Sequence, residues 1–416
     1  MNASPSLRQS PVALLVGTVA VVALLTWLAG WALPLVIFLI IVIVMLHEFG
    51  HFITAKKSGL LVTDFFVGFG PILWSTTRGE TRYGVRALLL GGYVKVPGMT
   101  WGTPVEPDVE SRTYREASYP KKVLFASAGS LMHLVMALVL AWASLAFIGV
   151  ASSSHVGIAA FDPWQGHTEN AAQRAGLKVG DQIVAVDGTT ITNEDQLVTL
   201  VHRSTGKRLT LLVRRGAQEL TLHATPVSGT SIKEDGRTLS KGGYIGVQIT
   251  ALTVHESALA AIPHSVTQVG SLIGDGVQAI VHVFSPGEFA SLFHQVASPA
   301  AATNPKNEAS RPDSIVGVGR IAVQATDAGP GQLILVLVAV NIFIGLLNML
   351  PLLPLDGGYV AIATYERLRT RKGRPRYEAD INKLAPVIYA FMGVLLVLFA
   401  CTLYLDIAHP IANPFN

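Results

Sequence analysis

From Ser10 to Leu46 the chain carries no charged side chain, and the run ends abruptly in MLHEFGHF, Met45 to Phe52. As one helix rising about 1.5 Å per residue it would be about 55 Å long, nearly twice the ~30 Å hydrocarbon core of a bilayer. It is therefore expected to fold as two spans. The TWLAGWALP stretch is the expected break, because Gly30 and Pro34 weaken a helix and Trp27 and Trp31 suit a membrane–water interface. A cleaved signal peptide is the rival reading of the first half, although Ala29, Gly30 and Trp31 make a poor cleavage site.

Three more apolar runs are long enough to cross: Val123 to Val150, Leu333 to Leu355 and Leu384 to Leu405. Half of the 416 residues are hydrophobic and only 14% are charged, the balance of a polytopic membrane protein carrying some soluble mass. Lys56 to Lys122 holds ten Lys/Arg against six acids, and Gly357 to Lys383 holds seven against three. Both loops read as cytoplasmic. Ala151 to Gln332, with thirteen basic and fifteen acidic residues, reads as exported, which gives five spans, a cytoplasmic N-terminus and an external C-terminus. The net charge of +4 comes from the inward loops and implies no nucleic-acid partner. Cys401, the single cysteine, sits in the last apolar run, so the exported part has no disulfide and no thiolate metal site.

The chain divides into an extra N-terminal span (1–30), a span carrying HEFGH (31–56), a cytoplasmic-side loop (57–122) and a third span (123–150). An exported domain (151–250), an amphipathic and linker region (251–332), a span (333–356), a cytoplasmic loop (357–383) and a last span with a short tail (384–416) follow. The loop after HEFGH, rich in glycine, aromatic and β-branched residues and alternating over Thr81 to Leu88, predicts β-hairpins. AAQRAGLKVGDQIVAVDG, Ala171 to Gly188, predicts a short helix closed by Gly176, a strand Gln182 to Val186 and a turn at Asp187-Gly188. A helix near Glu194 to Arg203 and a strand Arg208 to Arg214 come next. This pattern resembles the circularly permuted PDZ domain of bacterial envelope proteases, which receives an extended peptide or C-terminus by strand addition; a domain that only blocks or orients access is the alternative. Val266, Val269, Ile273, Val277, Ile280 and Phe284 mark an amphipathic helix, lying in the headgroup plane or packed on the exported domain. Ala297 to Arg311 reads as a flexible linker.

On a helix His47 and His51 share a face and can bind one metal, while Glu48 projects beside them. This is the H-E-x-x-H arrangement of zinc hydrolases, with the glutamate as general base. At membrane depth two imidazoles and a carboxylate carry a large desolvation penalty unless paired or metal-bound, which sets this reading against a merely structural histidine pair. A third ligand is available in Asp356 of NMLPLLPLDGGYVAIA, where Asn348, Pro351 and Pro354 interrupt the helix. Asp356 as N-cap of the following helix is the alternative.

HEFGH, the GFGP and LGGYVKVPG loop, the single permuted PDZ pattern and N-x-x-P…LDGG stand in the order found in the site-2 protease family, and the likeness covers about His47 to Leu405. The resemblance is greatest to its single-PDZ bacterial branch, which processes anti-sigma factors. It implies a polytopic α-helical fold with a membrane re-entrant β-loop and an extracytoplasmic α+β PDZ domain, placed in a bacterial inner membrane with the active site toward the cytoplasm. It implies one Zn2+ per chain, held by His47, His51 and Asp356 with Glu48 as base, and single-pass membrane proteins resembling anti-sigma factors as substrates. Asn348 would place the substrate backbone or stabilise the oxyanion. Gly68 to Gly70 and Leu90 to Lys95, including Gly91, Gly92 and Tyr93, would pair with the unwound substrate. Where the family has G-P-x-x-N, this chain has Gly129-Ser130-Leu131-Met132-His133. His133 is thus open as a proton carrier, an extra zinc neighbour or a hydrogen-bonded helix histidine. Leu89 replaces the usual proline before LGGY, and the N-terminal span lies outside the family core. A catalytically silent PDZ membrane adaptor is the rival function, against which the intact Glu48 argues; a metal transporter would need a polar path that spans one, three and five lack apart from His133, Asp406 being terminal.

Overall fold

The computed structural model describes residues 20–27, 30–99, 105–164, 169–234, 237–238, 240–371 and 376–415. Most of the expected first span lies outside the described residues; its end is helical at 20–27 (α1). The break falls where the sequence predicts it. Gly30 takes φ +75°, a left-handed turn open to glycine, and Trp27 and Trp31 stand exposed on either side. Helix α2, Ala32–Lys57, follows and closes with Lys56 and Lys57 in its last turn and Gly59 at φ +78°, basic side chains and a left-handed glycine both suiting a helix C-terminus.

Strands β1 (Asp64–Arg78) and β2 (Thr81–Lys95) form one long hairpin bent back on itself. Asp64 to Val67 faces Arg82 to Val85 and also Gly92 to Lys95. Gly68 and Gly70, at φ +81° and +80°, supply the bend; a Cβ on Gly68 would stand 2.6 Å from Leu88 O. Helix α3, Tyr119–Ala143, approaches α2 at Gly50, where a Cβ would stand 2.6 Å from Ala128 O. Glycine sets how close those two backbones come.

The 143–262 stretch forms a compact unit of its own. After a π-helical turn at Ser144–Ile148 come β3 (Val150–Phe161), α4 (Ala171–Arg174), β4 (Gln182–Val186), β5 (Thr189–Thr190), α5 (Glu194–Arg203), β6 (Leu209–Arg215) and β7 (Gln218–Ala224). The short strands β8 (Val227–Ser228), β9 (Lys233–Glu234), β10 (Arg237–Thr238) and β11 (Gly243–Tyr244) lead to β12 (Val247–Val254). The main sheet runs β12-β3-β4-β6-β7, with β5 paired to β4. Local chemistry accounts for the start points: Asn170 and Gln173 form a capping box on α4, and Asn193 caps α5 through Gln196 N. Asp187 and Gly188, both at positive φ, make the two-residue turn of the β4–β5 hairpin. Leu197 and Val201, one turn apart on α5, bury against Ile183, Leu211 and Val213, each worth about 1.5–3 kcal/mol. The helix, strands and turn expected between Ala171 and Arg214 are found within a residue of their predicted bounds.

The second part of the helical unit begins with α6 (Ala261–Val283), then α7 (Pro286–Ala297), α8 (Pro299–Ala302), α9 (Pro305–Ser310), α10 (Ile315–Ala328), α11 (Pro330–Asn348), α12 (Asp356–Arg369) and α13 (Ala385–Ala408). On α6, Val269, Leu272 and Ile273 pack on Ala137, Val338 and Ile342 of α3 and α11, while Val266 and Val277 stay exposed. The expected linker is corrected, since Ala297 to Arg311 holds α8 and α9, with Ala302 buried against Leu292, Leu398 and Leu405. Proline in the first turn of each helix, and the Asn304 side chain accepting from Lys306 N, give this stretch helical starts that its composition disguised. Asp406, expected to be merely terminal, is 1% exposed and pairs with Arg311 at 3.1 Å.

Among the described residues four helical stretches are long and apolar enough to cross a membrane: Ala32–Lys57, Tyr119–Ile148, Pro330–Asn348 and Ala385–Ala408. The chain is a polytopic membrane protein. The third of these ends at Asn348 rather than near Leu355, because Pro351 and Pro354 have no N–H to continue the helical ladder. Its 19 residues still reach about 28 Å, close to the ~30 Å apolar thickness.

Candidate metal centre

α2 carries His47 and His51 four residues apart, both buried, with the rings edge to face at 4.9 Å. α3 sets their orientation. His51 Nδ1 lies 2.8 Å from Phe125 O, and because a carbonyl only accepts, Nδ1 carries the hydrogen and Nε2 keeps its lone pair. His47 leans against Gly129, where any Cβ would overlap the imidazole. Its Nδ1 is buried beside that backbone without a full hydrogen bond.

The third donor comes from beyond the break in the polypeptide. α11 stops at Asn348, and α12 begins at Asp356 with Leu355 as its N-cap residue, so Asp356 is not the cap. Glycines 357 and 358 allow the tight return: a Cβ on Gly357 would run into the Met349 carbonyl, and one on Gly358 would stand 2.6 Å from Leu353 N. Asp356 Oδ2 thereby sits 3.2 Å from His51 Nε2 and 3.5 Å from His47 Nε2, and the two Nε2 atoms are 3.3 Å apart. These separations match those between donors that share one metal ion. Donors about 2.0–2.1 Å from zinc at tetrahedral angles stand about 3.3–3.4 Å from one another. A metal held there would have three protein donors, and among the described residues this is the only such group of three His, Cys, Asp or Glu.

Glu48 stays out of the triangle, half-buried, near enough to His51 and Asp356 to feel their charge. The backbone of β2 lies against it at Gly92, where a Cβ would stand 3.0 Å from Glu48 Cγ. That close approach is open to glycine and explains one residue of LGGYVK. Gly91 serves a neighbouring contact, with a Cβ there 2.7 Å from the Phe69 ring, and Tyr93 stacks on Phe66 with its hydroxyl accepting from Arg86. Gly68 and Gly70 shape the hairpin bend, as described above, and Asn348 ends α11 half-buried.

His133 is 1% exposed and lies outside the triangle, its ring 5.0 Å from that of His47. Its Nδ1 is 2.9 Å from Asn341 Oδ1, while Asn341 Nδ2 donates to Leu337 O at 2.8 Å. The amide is thereby oriented, and His133 Nδ1 is the donor. Of its three readings, the geometry is that of a hydrogen-bonded helix histidine. Asn341, fully buried, was passed over in favour of Asn348; a lone amide inside an apolar run was the available signal.

The sequence pattern of peptidase family M50 matches residues 35–393. The chain belongs to peptidase family M50, the site-2 proteases. Over 404 residues it is 30% identical to zinc metalloprotease Rip1 of Mycobacterium tuberculosis, covering 89% of this chain and 96% of that one. Rip1 of Mycolicibacterium smegmatis is 28% identical over 401 residues, covering 90% of this chain and 96% of its own. The chloroplastic membrane metalloprotease ARASP of Arabidopsis thaliana is 27% identical over 375 residues, with 85% and 75% covered. As an M50 peptidase the chain is a site-2-type zinc metalloprotease, and its buried His-His-Asp triangle fits the zinc that the family implies.

Proposed function

We propose that this M50 peptidase cuts peptide bonds within or beside membrane-spanning segments, with one Zn2+ per chain held by His47, His51 and Asp356. The observation that carries the reading is the donor triangle built onto the ends of apolar helices. Bound zinc would polarise a carbonyl and bring the pKa of a water toward about 7. Phe125 O fixes the tautomer of His51, and Gly129 gives His47 room to present Nε2. Glu48, beside the triangle, takes a proton from the attacking water and passes it to the leaving amine. The side-chain amide of Asn348 donates to the oxyanion or to the substrate backbone.

A peptide bond inside a helix is sterically closed to attack, so the substrate must be held extended. Gly92 to Lys95 pairs on one side with Asp64 to Val67 and has no second strand partner among the described residues. It offers that edge next to Glu48, and a substrate strand added there satisfies its own N–H and C=O groups where water is scarce. Single-pass membrane proteins of the anti-sigma-factor type, already trimmed outside the membrane, are the proposed substrates. The 143–262 unit, read as a PDZ-type module outside the cytoplasm, would take a peptide or C-terminus by strand addition.

The test uses purified protein in detergent, with zinc measured and cleavage of a membrane-helix substrate followed. Glu48→Gln should keep its zinc and lose activity by about 10²–10⁴-fold; a variant that still cuts at the wild-type rate would sink the mechanism. Membrane proteins that accumulate on Glu48→Gln in cells identify the substrates.

A further inference from the structure

α3 and α12 both run between the donor triangle and a buried ion pair. Lys122 Nζ, in the first turn of α3, donates to Glu366 Oε2, at the C-terminal end of α12, at 2.9 Å, with the two side chains 4% and 10% exposed. Each charge stands where its own helix disfavours it: a cation at the positive end of α3 and a carboxylate at the negative end of α12. Local sequence accounts for neither, and burying either charge alone would cost more still. They suit each other only when the start of α3 meets the end of α12. Glu366 is held on its other oxygen too, since Oε1 accepts from Ala379 N at 3.1 Å.

From that pair each helix leads to the metal donors. Phe125, one turn past Lys122, holds His51 Nδ1 through its carbonyl, and Gly129 makes room for His47. Asp356 opens α12, about 15 Å along the axis before Glu366 at about 1.5 Å per residue. The space the two helices border is not filled: a cavity of about 270 Å³ is lined by Tyr114, Lys122, Tyr359, Ala363, Glu366 and Ala379. Close packing therefore does not set their spacing along this length, and discrete ties must. Besides the ion pair there is a 3.4 Å hydroxyl contact between Tyr119 and Thr364. Tyr114 is the other tie, its ring 5.7 Å from Phe125, 6.1 Å from Tyr359 and 5.3 Å from Lys122 Nζ.

We propose that Lys122 and Glu366 are positioning residues for the metal centre: their ion pair sets α12 against α3 so that Asp356 meets the two imidazoles. The proposal rests on the zinc reading of the donor triangle given above. Neither side chain belongs to that triangle. A buried ion pair is weak evidence for stability, because apolar residues of like volume often replace one without loss, whereas its directionality can select one arrangement among several. A purely structural pair and a positioning pair therefore differ in what neutral replacement does. The fold survives in both cases, and Asp356 loses its place only in the second.

The test uses the full chain in detergent, stripped with a chelator and titrated with Zn2+ against a chromophoric competitor. Lys122→Met combined with Glu366→Gln removes both charges and keeps an acceptor for Ala379 N. This neutral variant should melt close to wild type and bind zinc about 10-fold more weakly, the usual scale when support for a metal ligand is disturbed. In an Asp356→Ala background the same two substitutions should cost no further affinity, because the ligand they position is already gone. Glu366→Asp, which keeps both charges and shortens the reach by one methylene, should weaken binding in the same direction, and it decides the matter if the neutral variant does not fold. Wild-type affinity in the folded neutral variant, or in Glu366→Asp where that one decides, overturns the positioning role alone, as does a loss that simply adds to that of Asp356→Ala. If wild type binds no zinc, or Asp356→Ala binds it as tightly as wild type, the zinc reading fails and the proposal with it.

Discussion

The missing methyl group at position 129 gives the His47 imidazole its place in the donor triangle. His47 occupies the volume a Cβ would fill, so Gly129→Ala must push the imidazole out of the triangle or move α3. The expected outcome is at least a 10-fold loss of zinc affinity, the usual scale when a group supporting a metal ligand is disturbed, with cleavage falling in step. Zinc titration of the purified variant checks it, and normal zinc retention would show that the helices can shift. The spacing of His47, Glu48 and His51 made the two imidazole donors legible in the sequence, and the break around Pro351 and Pro354 pointed to Asp356 as the third member of the group. Gly129 was legible only as the one glycine kept in a motif from which Ser130 and His133 depart. Its purpose depends on which residue of α2 packs against it, and no local pattern carries that information. Asn341 escaped for the same reason, its meaning lying in a contact with His133 across 208 residues.

The elements that close the helical unit are held by charges the sequence hides. Arg311, between α9 and α10, donates to Asp406 Oδ1 at 3.1 Å and to His409 O at 3.0 Å, while Asp406 Oδ2 accepts from Ser314 N at 2.7 Å. Both paired side chains are 1% exposed or less. Removing one partner of such a buried pair costs about 3–5 kcal/mol, so Arg311→Leu should lower the unfolding midpoint sharply. A shift of less than a degree would mean that the pair contributes nothing. Neighbouring Asp313 is pushed up to about 6, first by burial and then by the charge on Asp406, with Arg311 and Arg320 acting the other way. A carboxyl whose pKa is raised in the fold stabilises it most when protonated. Its contribution is complete below the unfolded value near 3.8 and fades as pH rises through about 6. The unfolding midpoint of wild type should therefore fall between pH 4.5 and 7 more than that of Asp313→Asn, and parallel curves would refute the assignment. A Pro-, Ala- and Asn-rich stretch resembles a linker until its helix caps and its one buried arginine are seen together, and those depend on α13, nearly a hundred residues later.

At the scale of the molecule, two compact units differ in what makes them readable. The 143–262 unit has its own core, with Ile183, Leu197, Leu211 and Val213 all buried. Produced alone, it should fold and unfold cooperatively, and a non-cooperative melt would contradict an independent core. Its turns and caps are local signals, and the two helices and two strands expected between Ala171 and Arg214 were predictable for that reason. If it screens substrates by size, deleting 155–250 should permit cleavage of untrimmed partners, with unchanged selectivity counting against that role. The helical unit was readable in its apolar runs but not in its packing, because spans that are oily all round say little about which face meets which neighbour.

The donor triangle also has a history within each molecule. Asp356 follows His51 by 305 residues, and at about 5–20 residues per second a ribosome needs roughly 15–60 s to make them. During that interval the chain holds only two of the three donors of the triangle and lacks the carboxylate that Asp356 brings to it. Every newly made copy is therefore without a complete donor triangle until α12 emerges.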